Sequence, residues 1–195
     1  MVRRRLIAVG ASTGGTEALV AFLSGFPAKA PPILIVQHMP KAYTGSFADR
    51  LNDLSSLSVR EAKDIDTPQS GLVLLAPGDR HLKVIQTAEG VRAVLSDEAP
   101  VSRHRPSVDV LFRSMADVMG RRGIGVILTG MGSDGAKGLK AMRDAGARTF
   151  GQDEGSCVVY GMPKAAKHHG AVQTEASLKN LPNLVQDSYR IIGAD

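Results

Sequence analysis

Residues 5–23 read RLIAVGASTGGTEALVAFL, and the expected fold can be worked out from this segment outward. The segment from Leu6 to Val9 is continuously apolar, which is typical of a short strand buried on both faces. A turn with three glycines follows, and apolar residues then return at the spacing of an amphipathic helix. The stretch therefore predicts a strand, a glycine-rich turn and a helix.

The turn contains Ser12 within the sequence GASTG, residues 10–14. This is the G-x-S-x-G spacing of a nucleophile elbow, in which a sharp turn lifts a serine hydroxyl above a sheet. A glycine turn at a helix N-terminus is also a good anion site. A nucleotide- or phosphate-binding α/β module that uses the Gly10–Gly15 loop is therefore the alternative, and spacing alone leaves both interpretations open.

Length and composition indicate a single ordinary globular domain. The chain has 195 residues, of which 43% are hydrophobic and 22% are charged, and a chain of this size buries enough surface to fold on its own. It contains no run of about 20 apolar residues, so we expect no membrane span. The one cysteine, Cys157, cannot form a disulfide within the chain, which favours the cytoplasm.

The net charge is +5 and the sequence pI is about 9.6. A basic protein can bind nucleic acid, but only 4% of the residues are aromatic and tryptophan is absent, so few side chains could stack on bases. The basic residues are mostly scattered. We expect no nucleic-acid partner, and an acidic protein or substrate fits the charge at least as well.

Further apolar runs alternate with helical patterns along the chain. The segments Ile33–Val36, Gly71–Ala76 and Ile124–Leu128 predict buried strands, and Leu82–Gln86 with Val91–Leu95 predicts a hairpin. Continuous strands alternating with helices predict an α/β fold with a mainly parallel sheet flanked by helices on both faces. The predicted class is doubly wound and Rossmann-like, with a β-hairpin addition.

Capping residues suggest where the helices begin. Thr44 can cap a helix that runs to Leu54, and Ser107 can cap the helix that follows the basic loop. Ala171–Thr174 predicts a further strand near the C-terminal end.

Three polar residues of different kinds follow three predicted strands: Ser12, His38 and Asp134. Parallel strands bring these positions to one edge of the sheet, where a hydroxyl, an imidazole and a carboxylate can act as nucleophile, base and base-orienter. Each also has a structural alternative. Ser12 can be a helix N-cap, His38 can pack on Met39, and Asp134 can form a turn before its helix.

Cofactor and metal signatures are absent from the sequence. The Ser12 loop lacks G-x-G-x-x-G, and the glycine-rich loop at residues 129–136 lacks the G-K-S/T ending of a phosphate loop. The five histidines show no ligand spacing with Cys157 or with a carboxylate. We therefore expect no bound cofactor and no metal site.

Six motifs, in this order and at these intervals, resemble the catalytic domain of CheB-type chemotaxis methylesterases. They run from about Arg5 to Ala171 and read GASTGG, QHMP, APGDRH, RHRPSVDVLF, GVILTGMGSDGA and SCVVYGMP. The resemblance implies hydrolysis of γ-glutamyl methyl esters on the cytoplasmic helical domain of chemoreceptors, with release of methanol, and deamidation of certain receptor glutamines. The motif positions imply a Ser12, His38 and Asp134 triad.

The general chemistry of a serine esterase adds further expectations. The backbone N–H groups of Thr13 and Met131 are hypothesised to form the oxyanion hole. Arg103 and Arg105 can attract an acidic receptor, or they can anchor loops by hydrogen bonds. The glycines beside Ser12 are expected to clear space for a side chain of the substrate protein.

The sequence departs from the family pattern in two respects. Family members usually carry an N-terminal receiver domain, and only eleven residues precede Ser12. We therefore expect residues 1–195 to form one methylesterase catalytic domain without that receiver domain. Ser133 occupies a position where better-known members tend to have asparagine, a replacement of one small polar residue by another.

Overall fold

Seven parallel strands form the central sheet of this protein, seen in a computed structural model that describes residues 5–191. The ends of the predicted domain, residues 1–4 and 192–195, lie outside the described part. The strands are β1 (Leu6–Ala11), β2 (Ile33–Gln37), β3 (Ser58–Glu61), β4 (Ile65–Asp66), β5 (Leu72–Leu75), β6 (His81–Thr87), β7 (Gly90–Ser96), β8 (Gly123–Ile127), β9 (Arg148–Gln152) and β10 (Thr174–Ala176). The helices are α1 (Gly15–Ser24), α2 (Lys41–Leu54), α3 (Val108–Met119), α4 (Ala136–Asp144), α5 (Met162–His168) and α6 (Leu181–Ile191).

The strand order in the sheet is β10-β9-β8-β1-β2-β5-β3. Successive side chains point to opposite faces, so Ile7 and Val9 of β1 belong to one hydrophobic core and Leu6 and Ala8 to the other. Helices α1, α2 and α6 cover the first face, and α3, α4 and α5 cover the second with part of the β6–β7 hairpin. The predicted fold class is confirmed. The hairpin belongs to a separate antiparallel sheet of order β4-β7-β6.

Within residues 5–191, none of the helices is both long enough and apolar enough to cross a membrane.

Two element boundaries differ from the sequence predictions. Helix α2 begins at Lys41 after Pro40, so Thr44 lies inside the helix instead of capping it. The Thr44 hydroxyl is buried, donates to Glu61 and accepts from the Gly78 amide. The last strand is displaced along the chain, because β10 pairs with β9 only from Thr174 onward.

The order of the strands creates a switch point between β1 and β8. From β1 the chain proceeds outward through β2 and β5, whereas β8, β9 and β10 build the other half of the sheet. Ligand sites of such sheets lie at the carboxyl ends of the strands beside the switch point. Ala11 pairs with Gln37, and Gly10 pairs with Ile127, so the loops that follow β1, β2 and β8 leave the sheet side by side.

Gly10 brings helix α3 close to the central strand. A Cβ atom on Gly10 would lie 2.2 Å from Cγ1 of Val108, the first residue of α3. This close approach places the N-terminus of α3 beside the carboxyl end of β1.

We expect Gly10→Ala to lower the free energy of unfolding by about 1–3 kcal/mol, because the added methyl overpacks a close-packed contact. Val108→Ala should recover part of this loss in the double variant, as a double-mutant cycle from urea unfolding would show. Gly155→Ala is the control, since nothing lies within 4 Å of its Cβ position. Equal free energies of unfolding for Gly10→Ala and Gly155→Ala would contradict the close contact between Gly10 and Val108.

Candidate active site

Ser12 is the first residue after β1 and lies in a tight turn. Its carbonyl accepts from the Gly15 amide at 2.7 Å, and its own amide donates to the Thr129 carbonyl at 3.0 Å. Gly14 has φ +80°, in the left-handed region that favours glycine. Backbone hydrogen bonds thus hold the half-buried Ser12 between the start of α1 and the loop after β8.

The glycines of this turn make room for the protein's own side chains. A Cβ on Gly15 would lie 2.0 Å from Gln37 Oε1, and one on Gly14 would lie 2.5 Å from the Val158 Cβ. Gly10 accommodates Val108 in the same way. The expectation that the glycines clear space for a substrate side chain is wrong for these positions, because neighbouring residues already occupy that space.

The same contacts disfavour the phosphate-binding alternative. The Gly15 amide, which begins α1, already donates to the Ser12 carbonyl. The first turn of α1 contains Glu17, and the side-chain oxygen Oε1 of Gln37 lies beside Gly15. Both groups would oppose an anion at this helix N-terminus.

His38 follows β2 and is held next to Ser12 by the sheet. Its amide donates to the Ala11 carbonyl at 3.1 Å, and its side chain is only 10% exposed. Its Nε2 lies 2.8 Å from Oδ2 of Asp134. Because a carboxylate only accepts, Nε2 carries the proton in the neutral form of the ring, and the lone pair of that form is on Nδ1. Nδ1 is buried and has no hydrogen-bond partner among residues 5–191.

Asp134 lies in the loop between β8 and α4, and its carboxylate, whose side chain is 1% exposed, lies at the N-terminus of α3. Besides His38, it accepts hydrogen bonds from the Ser107 hydroxyl at 2.7 Å, the Val108 amide at 2.8 Å and the Asp109 amide at 3.0 Å. Ser107 is the N-cap residue by position, as predicted, but its side chain makes no cap bond of its own. The carboxylate of Asp134 caps α3 in its place.

These contacts keep Asp134 ionised. Burial raises the pKa of its carboxyl group, but hydrogen bonds from His38, Ser107 and the amides of Asp109 and Val108 outweigh burial, so the pKa lies below its ordinary value of 3.8. A permanent negative charge can hold the His38 ring in one orientation and stabilise it when it accepts a second proton.

The structure therefore brings the three predicted residues to one edge of the sheet. The His38–Asp134 contact is formed, whereas the Ser12 hydroxyl makes no hydrogen bond to another residue in the range 5–191. Hydrogen bonds between a nucleophile and its base are often long in enzymes without substrate, so this does not remove Ser12 from the site.

Sequence analysis missed His104 as a neighbour of the base. Its ring stacks on His38 with centroids 3.8 Å apart and planes 12° apart, and its Nδ1 is 2.7 Å from the Ser102 carbonyl. His38, His104 and Asp134 present possible metal-ligand atoms within 4.8 Å of one another. The two rings are stacked and nearly parallel, however, so the lone pairs of their nitrogens lie in separate planes, and both rings could bind one ion only if one of them rotated.

The peptides that carry the Thr13 and Met131 amides have fixed orientations. The Ser12 carbonyl accepts from the Gly15 amide and from Gln37 Nε2, at 2.7 and 2.9 Å. The Gly130 carbonyl accepts from the amides of Gly161 and Met162, at 3.1 and 2.8 Å. In a planar trans peptide the N–H of the following residue points in the direction opposite to the carbonyl, so the N–H groups of Thr13 and Met131 point away from these donors. Neither N–H group donates to a residue that the structure describes.

The two loops that carry these amides are in contact. A Cβ on Gly130 would lie 2.8 Å from the Ser12 Cβ, so only glycine allows the loop after β8 to approach the serine this closely. Met131 and Val158 are 66% and 71% exposed and give the site an apolar rim.

The two candidate substrate-binding arginines have different surroundings. Arg105 donates to Asp79 and to the carbonyls of Asp97 and Glu98, which matches the loop-anchoring alternative. Arg103 is exposed, has φ +64° and makes no hydrogen bond within residues 5–191.

Cys157 is a poor candidate for a nucleophile. Burial, together with the nearby acidic groups and against the lowering effect of a hydrogen bond with Thr129, raises the pKa of its thiol to about 11. The reactive thiolate is therefore scarce at neutral pH.

We expect Asp134→Asn to lower the free energy of unfolding by about 2–3 kcal/mol near pH 6, because an amide NH₂ would face donors that now meet a carboxylate oxygen. Since the folded pKa of Asp134 is depressed, its contribution is complete above the unfolded value of about 3.8 and is lost as pH falls through the folded value. Urea unfolding of wild type and variant should therefore converge at strongly acid pH.

Asp117→Asn, at an exposed position of helix α3, is the matched control for this comparison and should change stability little at either pH. If the difference in the free energy of unfolding between wild type and Asp134→Asn grew as the pH falls, the lowered pKa assigned to Asp134 would be contradicted.

Comparisons with known proteins show which family the chain is similar to. The family model described as CheB methylesterase matches residues 7–185. A protein-glutamate methylesterase/protein-glutamine glutaminase 1 from Dechloromonas aromatica (strain RCB) is 54% identical over 190 residues, which cover 97% of this chain and 53% of that protein. A protein of the same name from Geobacter metallireducens is 54% identical over 178 residues, covering 91% of this chain and 49% of its own.

The chain thus spans about half the length of the curated relatives it matches. The crystal structure of the Thermotoga maritima CheB methylesterase catalytic domain superposes with a TM-score of 0.91 at 35% identity, covering 94% of this chain and 97% of that one. Sequence, fold and the arrangement of residues at the switch point lead to one conclusion: the chain belongs to the CheB methylesterase family.

Proposed function

We propose that this protein is a serine hydrolase that removes methyl groups from γ-glutamyl methyl esters of chemoreceptors and deamidates specific receptor glutamines. One observation carries the proposal. His38 Nε2 lies 2.8 Å from Asp134, so Nδ1 is the nitrogen that can act as the base; it is buried and has no hydrogen-bond partner among residues 5–191. His38 follows β2 and Ser12 follows β1, and these two strands pair with each other. The names of the relatives support the same reaction.

Acylation would begin at the Ser12 hydroxyl. Its oxygen attacks the ester carbonyl carbon while Nδ1 of His38 takes the proton, and Asp134 stabilises the resulting imidazolium. When the tetrahedral intermediate collapses, His38 returns the proton to the methoxy oxygen and methanol leaves. The glutamyl group then remains on Ser12 as an acyl-enzyme.

The negative charge on the intermediate needs donors that are already in place. The Thr13 and Met131 amides fit this role, because their peptides are each held by two hydrogen bonds on the carbonyl side and their N–H groups have no acceptor within the described residues. Removing one donor of this kind typically costs about 10²–10³ in kcat.

Deacylation repeats the same proton transfers with water as the nucleophile. His38 removes a proton from water, which attacks the acyl carbon, and then protonates the departing Ser12 oxygen. A glutamine side chain would follow the same course with ammonia as the first leaving group. Both substrates end as a glutamate carboxylate.

The proposed partner is the cytoplasmic helical domain of a chemoreceptor, which implies a cytoplasmic location. A net charge of +5 favours association with an acidic partner. Arg103 is the proposed contact residue, because it is exposed and lies next to His104, which stacks on the base. Arg105 supports this loop through Asp79 and two carbonyls.

Ser12→Ala is expected to abolish methanol release from methylated receptor, because no other group replaces the nucleophile.

Asp134→Asn should lower kcat by about 10⁴, the loss seen when the orienting aspartate of serine proteases is replaced. A fluorophosphonate should label the wild type at Ser12 and fail to label His38→Ala. Near-normal esterase activity in Asp134→Asn would overturn its assigned role.

Arg103→Ala is expected to raise KM for methylated receptor several-fold at low ionic strength and to leave kcat unchanged, because only the encounter with an acidic surface is weakened. The difference should disappear near 1 M salt, where the screening length is about 3 Å. Steady-state kinetics at several salt concentrations provide the measurement. Arg105→Ala should lower thermal stability instead, and a KM effect of Arg103→Ala that is independent of salt would contradict the proposal.

A further inference from the structure

We propose that Gln37 is a positioning residue for the oxyanion site and for the base. This inference rests on the proposed hydrolase function and adds a residue to its machinery. Gln37 is the last residue of β2, directly before His38, and is 3% exposed. Its side-chain amide nitrogen donates to the Ser12 carbonyl at 2.9 Å and to the His38 carbonyl at 3.1 Å.

The first of these bonds controls the peptide between Ser12 and Thr13. Because that peptide is planar and trans, holding its carbonyl toward Gln37 turns the Thr13 N–H to the opposite side. If this peptide flipped, its carbonyl oxygen would take the place of the oxyanion donor and repel the developing charge. Gln37 is the side chain that, together with the Gly15 amide, opposes such a flip.

The second bond controls the peptide that follows His38. One NH₂ group therefore joins the loop that carries the nucleophile to the loop that carries the base. Gln37 and Ser12 are 25 positions apart in the sequence, and their hydrogen bond adds to the pairing of β1 with β2 at the point where regular pairing ends. This one side chain thus adds to the sheet pairing in fixing the relative placement of Ser12 and His38.

The surroundings of Gln37 show that the amide is retained at a cost. Its Oε1 is buried and has no hydrogen-bond partner among residues 5–191, and an unpaired buried amide oxygen is unfavourable. Residue 15 must also be glycine, because a Cβ there would lie 2.0 Å from Oε1. An apolar side chain of similar length would avoid the unpaired oxygen, so packing alone does not account for glutamine here.

Gln37→Met tests the inference, since methionine has a similar length and no donor. We expect kcat for methyl-ester hydrolysis to fall about 10- to 100-fold with little change in KM, a smaller loss than removal of an oxyanion donor because the Gly15 amide still holds the peptide. Kinetics use methylated receptor with the whole chain, and fluorophosphonate titration counts the active sites.

The decisive measurement is inhibition by phenylboronic acid. The Ser12 oxygen adds to boron and its proton passes to His38, so the resulting anionic tetrahedral boronate places a hydroxyl oxygen where the oxyanion would form. Its Ki should rise in Gln37→Met by the factor by which kcat/KM falls. Partial unfolding would only reduce the number of active sites and would leave Ki unchanged.

Gln186→Met is the matched control. Gln186 is also buried, and its amide nitrogen donates to two carbonyls, those of Gly25 and Pro182, away from the site. This variant should lose stability but keep kcat per active site and the boronate Ki.

The following outcomes would count against the inference. A Gln37→Met variant with the kcat of Gln186→Met would overturn it, as would a fall in kcat/KM with an unchanged boronate Ki. A wild-type chain that neither releases methanol nor reacts with fluorophosphonate would overturn the proposed function and the inference with it. Activity in the wild type together with normal kinetics in Gln37→Met would overturn only the role of Gln37.

Discussion

The carboxylate of Asp134 at the N-terminus of α3 is the interaction on which the rest of the site depends. It accepts from two helix amides, a hydroxyl and the imidazole of His38, so one buried charge joins the loop after β8, the start of α3 and the loop after β2. The helix N-terminus compensates the burial of that charge. The same bonds that stabilise the fold therefore determine which nitrogen of His38 remains basic.

A second constraint acts on backbone peptides. The carbonyls of Ser12 and Gly130 are each held by two donors, and planarity of the peptide then fixes the direction of the following N–H groups. Such donors need no reorganisation when charge develops, which is the condition for strong electrostatic stabilisation of a transition state. Gly130, Gly14 and Gly15 matter because their missing side chains let these segments touch.

Sequence patterns were reliable where a residue's role depends on its near neighbours. Continuous apolar runs identified the buried strands of the central sheet, and Ser12, His38 and Asp134 were found from their positions after such strands. Patterns failed where a distant contact overrides a local preference. Thr44 resembles a helix cap but bonds to Glu61 and Gly78 inside α2, and the Ser107 hydroxyl donates to Asp134 instead of capping α3.

The fold class, the family and the three residue types at the edge of the sheet could all be predicted from the amino-acid sequence, because strand, turn and motif signals are local. How these residues meet depends on the folded chain. His38 and Asp134 are 96 positions apart, the stacking of His104 depends on a loop outside the central sheet, and Gln37 bonds to a carbonyl 25 residues away. These partners are set by strand order and by the satisfaction of buried polar groups, and no local pattern encodes either.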